Sequence, residues 1–157
     1  MIPVDVRLVP MTDEEYGPFI ERLIPEYAAD HVADGQWSLE ESLAGARKEV
    51  ERLLPQGRAT ATERFLTIVA GTPEEKVGYI WVHFQKQNGF LYDLWVDEHH
   101  RRKGYARAGM LALEIYAKQE GATKLALHVF AHNVPARDLY RALGYRETNV
   151  VMSKGLV

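Results

Sequence analysis

Leu94-Trp95-Val96-Asp97-Glu98-His99-His100-Arg101-Arg102-Lys103-Gly104-Tyr105-Ala106 reads as an apolar strand, a charged turn and the start of a helix. A helix that begins near Gly104 leaves the N–H groups of its first turn unpaired, and its macrodipole adds partial positive charge there. A phosphate fits such a place. Glycine at 104 permits unusual backbone angles and close approach by a ligand, while Arg101, Arg102 and Lys103 supply counter-charge. Downstream, Tyr105, Ala106, Met110, Leu111, Leu113, Ile115 and Tyr116 recur at roughly helical spacing, so a packed helix is expected to hold the turn. Taken alone, the basic run fits a solvated surface turn equally well.

The strand that feeds this turn spans Phe90 to Val96 and follows Asn88-Gly89, a hairpin signal that joins it to a strand from Val77 to Phe84. Gly71-Thr72-Pro73 separates the latter from a strand over Phe65 to Ala70. On the other side, Gly121 ends the helix and Lys124 to Val129 forms a further strand, so the strand–helix–strand unit implies parallel pairing. Asn133 caps a following helix with Pro135 just inside it and Gly144 at its end. Tyr145 onward, with Val150, Val151 and Met152, is expected to close the sheet as a hairpin or strand.

Before this block, Val4, Val6 and Leu8 alternate with Asp5 and Arg7 in the period of a half-buried strand that Pro10 ends. Thr12-Asp13-Glu14-Glu15 has the spacing of a capping box, with Met11 placed to staple onto Tyr16. The helix is expected to be disturbed near Pro25, leaving Tyr27 to Trp37 as a loop that includes Asp30, His31, Asp34 and Gly35. Ser38-Leu39-Glu40-Glu41 repeats the capping pattern and opens a helix carrying Leu43, Ala46, Val50, Leu53 and Leu54, stopped by Pro55 and Gly57. The order predicts an α/β fold with a mixed central sheet and about four helices, in one domain over residues 1–157.

Composition narrows the function. With 46% hydrophobic and 26% charged residues the chain has ordinary globular balance, and its net charge of -3 argues against a general nucleic-acid binder. No cysteine is present, which excludes disulfides, a Cys nucleophile and thiolate metal sites. Asp5 and Arg7 interrupt any secretory core, and no apolar run approaches a membrane span, so a cytoplasmic protein without membrane contact is expected. His128 and His132 straddle a strand end with no carboxylate or thiol cluster beside them, and no metal site is expected.

Two motifs resemble those of the GNAT superfamily of N-acetyltransferases. Arg101-x-x-Gly104-x-Ala106 matches its Arg/Gln-x-x-Gly-x-Gly/Ala signature directly after a strand, and Asn133-x-x-Ala136-x-x-Leu139-Tyr140-x-x-x-Gly144-Tyr145 has the spacing of its second motif. Ala106 stands where a second glycine is frequent, and Tyr145 where Phe is common. The resemblance implies the GNAT acyl-CoA N-acyltransferase fold and acetyl-coenzyme A as co-substrate, with its pyrophosphate wrapped by backbone N–H groups of Arg101, Arg102, Lys103, Gly104, Tyr105 and Ala106. It further implies that the pantetheine arm lies between the strands Phe90 to Val96 and Lys124 to Val129. Main-chain groups around Leu94, Trp95 and Val96 would hold the thioester, Asn133 would contact the arm, and Tyr140 would protonate the departing thiolate. A homodimer through the last segment, around Val150 to Met152, is a further implication.

Acetyl transfer to an amine requires a neutral nucleophile. An alkyl amine of pKa about 10.4 is neutral at pH 7 in only about one molecule in 2500, so a base or water relay must take its proton. Asp93 is the candidate base or amine anchor, because Asp is disfavoured in strands and needs compensation there; it is expected to share a face with Leu91 and Trp95. An Asp bonded to neighbouring backbone or to a basic side chain answers the same observation. At 3.6 residues per turn, Asn133, Arg137 and Tyr140 form one stripe beside a buried stripe of Ala136, Leu139 and Leu143. Tyr16, Tyr27, His31 and Trp37 are candidate contacts for the acceptor, a small-molecule or protein amine. Without cysteine, direct attack in a ternary complex is the simpler route. A non-catalytic acyl-CoA sensor of the same fold is the alternative reading.

Overall fold

The computed structural model describes residues 4–157. Five strands form one sheet in the order β1 (Val6–Pro10), β2 (Glu63–Ala70), β3 (Glu75–Gln85), β4 (Asn88–Val96) and β5 (Lys124–Leu127). The first four pair antiparallel, and β5 joins β4 in parallel after the crossover. Helices α1 (Asp13–Ala33) and α2 (Leu39–Leu53) cover one face, closing a core of Met11, Phe19, Ile24, Ala46, Phe65 and Trp81. On the other face α3 (Tyr105–Gln119) buries Met110 and Leu113 against Ile68, Ile80 and Val82. The last helix, α4 (Val134–Ala142), adds Tyr140 at the margin of this second core. Among the described residues no helix is long and apolar enough to cross a membrane.

The capping box at Thr12 forms in full: Glu15 N–H donates to Thr12 Oγ1 and Thr12 N–H to Glu15 Oε1, each at 3.2 Å. At Ser38 the side chain accepts from Glu41 N–H, and its hydroxyl donates to the Glu41 carboxylate instead of the backbone returning the bond. Pro25 does not interrupt α1, which continues through Ala33 and makes helical the stretch from Tyr27 that was expected to be loop. Ile24 and Ala28, both at most 3% exposed, flank the proline. Their burial outweighs the one hydrogen bond that proline removes.

The β3–β4 hairpin turns earlier than Asn88-Gly89 suggests. Gln85 pairs with Asn88, and Lys86, at φ +55, makes the reversal. Gly89 is needed for a different reason: a Cβ there would come within 3.1 Å of Leu125 and Phe84 side chains. On α3, Leu111 and Ile115 face outward, 43% and 60% exposed, while Gly109 takes the place against Ile68. The α4 stripe of Ala136, Leu139 and Leu143 is only half-buried, and no α4 residue is buried.

The closing strand expected after Tyr145 does not form within the chain. Residues 145–157 carry no strand, and Val150, Val151 and Met152 are 67%, 90% and 89% exposed. Gly144 turns the chain at φ +94, and Glu147 is then gripped by Arg137 and Arg141 on the exposed surface of α4.

Candidate active site

β4 and β5 pair only from Asn88–Lys124 to Leu91–Leu127. β5 ends there while β4 runs on to Val96, so the β5-facing backbone groups of Tyr92 to Val96 have no neighbouring strand. The two strands that are expected to part do part. Beyond β4, Asp97 accepts from His99 N–H at 2.9 Å and nucleates a short 3₁₀ turn over Glu98–His100. Arg101 then folds back, donating from Nε to Val96 O at 3.0 Å. Arg102 at φ +64 and Gly104 at φ +86 wind the chain into α3. Gly104 supplies no side-chain cap, so the first N–H groups of α3 remain open beside three exposed cationic side chains. The open N–H groups and the neighbouring cationic side chains make this helix start suited to an anion.

A bulge sets the other side of the site. Trp81 pairs with Asp93 while the next β3 residue, Val82, pairs with Leu91, leaving Tyr92 as the extra residue. Such an insertion shifts the alternation of faces. Leu91 accordingly stays in the α3-side core, whereas Asp93 and Trp95 face α1, correcting the expectation that all three share a face. Tyr92 stacks on Trp81 at 4.6 Å.

Facing them is Arg22, which sequence reasoning did not single out. Its Nη2 donates to Asp93 Oδ2 at 2.8 Å, its Nη1 to Glu26 Oε2 at 2.7 Å, and its guanidinium lies 4.5 Å from the Trp95 ring centre. Arg22, Glu26 and Asp30 are spaced four apart on α1, a stripe legible only if the helix is read through Pro25. Burial raises the Asp93 carboxyl; the Arg22 charge and hydrogen bond oppose this, and Glu26 and Asp30 reinforce it. A cleft of about 300 Å³ opens beside the pair, with Phe19, Arg22, Tyr79, Trp95 and Asp97 in its wall.

Tyr140 reaches the same region from α4. Its phenol is pushed up to about 12, by burial first and by the Asp93 charge second. Tyr140 belongs to the α3-side margin and Asp93 faces α1, so they influence each other at the opening where β5 has ended. Asn133 caps α4 by accepting from Ala136 N–H at 3.3 Å, which leaves its amide NH₂ free to donate outward.

Tyr27, His31 and Trp37 converge, although on one another: His31 stacks on Trp37 at 4.1 Å and meets Tyr27 edge-on at 4.4 Å. Phe130, after β5, packs edge-on against His31 at 5.2 Å, and His132 Nε2 lies 3.2 Å from Asp30 Oδ1. This aromatic group ties the end of α1 to the loop before α4. Tyr16 is elsewhere, in the core edge-on to Phe65 at 5.2 Å.

Known proteins share this fold. The family model of the acetyltransferase (GNAT) family matches residues 26–145. The chain belongs to the GNAT acetyltransferase family. It is 36% identical over 155 residues to YycN of Bacillus subtilis (strain 168), described as an uncharacterized N-acetyltransferase, covering 96% of this chain and 99% of that one. The crystal structure of YycN superposes with a TM-score of 0.92 over 97% of this chain and 99% of that one. An aminoglycoside N(6′)-acetyltransferase from Acinetobacter haemolyticus is 36% identical over 64 residues, 41% of this chain and 44% of that one. Acyl transfer from acetyl-coenzyme A is the general activity of this GNAT family, and the five-stranded mixed sheet with four helices is its fold.

Proposed function

We propose that this GNAT protein is an N-acetyltransferase that moves the acetyl group of acetyl-coenzyme A to a primary alkyl amine by direct attack in a ternary complex. The observation that carries the reading is the opening of β4 beyond the end of β5, with a basic, uncapped helix start following it and a buried Tyr140 phenol that feels the Asp93 charge. The co-substrate supplies an activated thioester. The open N–H groups at the start of α3, with Arg101, Arg102 and Lys103, bind its pyrophosphate, and Tyr105 and Ala106 form the first turn there. The main-chain edge around Leu94, Trp95 and Val96, where Arg101 already holds Val96 O, orients the arm, and Asn133 donates to it from its amide.

Tyr140 holds its proton at neutral pH, which supports a role in giving it to the departing sulfur. Asp93 presents its second oxygen, Oδ1, to the incoming ammonium and helps to draw off the proton, directly or through water. Glu26 and Asp30 act on Asp93 electrostatically and so lie near enough to favour a cationic acceptor on this side. The long, stacked side chains of Tyr27, His31 and Trp37 border the same end of α1.

Calorimetric titration with acetyl-coenzyme A, with ATP as control for general phosphate binding, tests the cradle. Release of free thiol with a panel of primary amines tests the transfer, and the cysteine-free chain contributes no background. Saturable binding and intersecting initial-rate lines are expected. Binding without turnover on any amine would instead mark a coenzyme sensor.

A further inference from the structure

We propose that the acceptor is an aminocarboxylate held at both ends, its amine at Asp93 and its carboxylate in a groove around His83. The place of the amine rests on the acetyl-transfer reading of Asp93. The groove, of about 440 Å³, lies on the sheet face that carries α1 and α2, and His83, Gln85, Asn88, Phe90, Tyr92 and Lys124 line it. Phe90 sits between His83 on β3 and Ala126 on β5, so an apolar floor is ringed by side chains able to donate hydrogen bonds. Among the described residues its lining holds no carboxylate. The Asp93 end has the opposite character, with Glu26 and Asp30 close enough to act on Asp93.

Glu63 makes the groove more than a surface dip. Its side chain is only 2% exposed; Trp81 Nε1 donates to Oε1 at 3.0 Å, while Thr62 Oγ1, at 2.8 Å, and His83 Nδ1 donate to Oε2. A buried carboxylate is costly unless satisfied in this way. Fixing Trp81 takes one of its oxygens. The other fixes the imidazole and leaves Nε2 as the free ring nitrogen of a side chain that is 26% exposed. A protonated ring donates from both nitrogens, from Nδ1 to Glu63 and from Nε2 to the ligand carboxylate, with Lys124 as a second cation at the exposed rim. Tyr92 joins the two ends. It is the bulge residue next to Asp93, its ring lies 6.1 Å from that of His83, and it is close enough to Tyr27 of α1 to act on its phenol. Along β3, His83 and Gln85 follow Trp81, the partner of Asp93, and at ~3.3 Å per residue this sets the two ends of the acceptor roughly 7–13 Å apart.

Thiol release with ω-amino acids of increasing length, each compared with the alkyl amine of the same chain, tests the span. The aminocarboxylates from ε-aminocaproate upward are expected to exceed the matching amines in kcat/KM by about tenfold, as one charge-assisted hydrogen bond gives, with a maximum at one chain length. Equal rates within every pair overturn the proposal while the transfer reading stands. Lys124→Gln and His83→Gln should each bring the ratio of aminocarboxylate to amine down towards one, and a ratio unchanged in both overturns the groove. His83→Gln leaves Glu63 short of a donor, so the exposed Lys124 provides the variant that keeps the fold. Binding is read separately from the His83 ring signal in NMR, assigned by its loss in His83→Gln. A shift of that signal with ε-aminocaproate but not with hexylamine, in a protein that acetylates no amine, supports the groove as a carboxylate site and overturns the transfer reading. No shift and no turnover overturns both.

Discussion

Arg22 donates from Nη2 to Asp93 Oδ2 at 2.8 Å across the interface between α1 and β4, and each side chain is only 16% exposed. The pair joins α1 to β4 where β4 runs on beyond the end of β5. Arg22 also rests on Trp95, and its Nε is buried without a partner, so its position is fixed by packing as much as by charge.

Arg22→Ala is therefore expected to act on Asp93 before anything else. Without the guanidinium, burial and the charges of Glu26 and Asp30 act on the carboxyl unopposed, and its pKa rises further. The acid limb of kcat/KM should move to higher pH, so that the loss of activity grows as the pH falls. Stability should fall by about 2–3 kcal/mol, less than for a fully buried pair because both side chains retain some solvent. Arg22→Lys should recover part of the pH profile. A profile unmoved in Arg22→Ala would separate Asp93 from the reaction.

Tyr140→Phe should lower kcat by about 10²-fold, the lower end for general acid catalysis, with acetyl-coenzyme A affinity within about twofold of the original. The phenol sits at about 12, so it is protonated throughout the usual assay range. Any basic limb between pH 7 and 10 should accordingly keep its position in Tyr140→Phe. A limb that vanishes in the variant, or a chemistry-limited rate that is unchanged, would remove Tyr140 from the proton transfer.

At the cradle, Gly104 adopts φ +86, and an added Cβ would meet only Val4 at an ordinary 3.5 Å. The cost of Gly104→Ala is therefore backbone strain of about 1–2 kcal/mol, relieved by unwinding the first turn of α3. Calorimetry should show acetyl-coenzyme A binding weakened by about tenfold or more with ordinary global stability. Ala106→Gly, which restores the commoner glycine of the motif, should bind at least as well as the original.

The helix start was legible because its signal is local: a glycine, three cations and a helical repeat lie within a few residues of one another. The bulge at Tyr92 was not, because it is defined by the register against Trp81 and Val82, and one inserted residue moves Asp93 to the opposite face from Leu91. Reading proline as a breaker hid the stripe of Arg22, Glu26 and Asp30, since only the buried Ile24 and Ala28 reveal that α1 runs through Pro25. The strand character of Val150 to Met152 was legible as propensity, whereas a strand also needs a sheet edge to pair with, which propensity does not supply.

Glu15 offers a stability test remote from the chemistry. It is 8% exposed; Thr67, fully buried on β2, donates to its Oε2 at 2.8 Å, and Thr12 supplies the capping bonds. Burial pushes its carboxyl up, but these hydrogen bonds and the nearby Lys76 outweigh that and leave it below the ordinary value. A carboxyl lowered by folding adds stability above its unfolded pKa of about 4.3 and loses that contribution as pH falls through the folded value. Thr67→Val should remove one buried bond and lower unfolding free energy by about 1–3 kcal/mol at pH 7. Glu15→Gln should cost a similar amount at pH 7, and its deficit relative to the original chain should shrink between about pH 5 and pH 3 as the native carboxylate is protonated. Urea melts at the two ends of that window measure the change, and a deficit that stays constant across it would mean that the Glu15 charge contributes nothing to the fold.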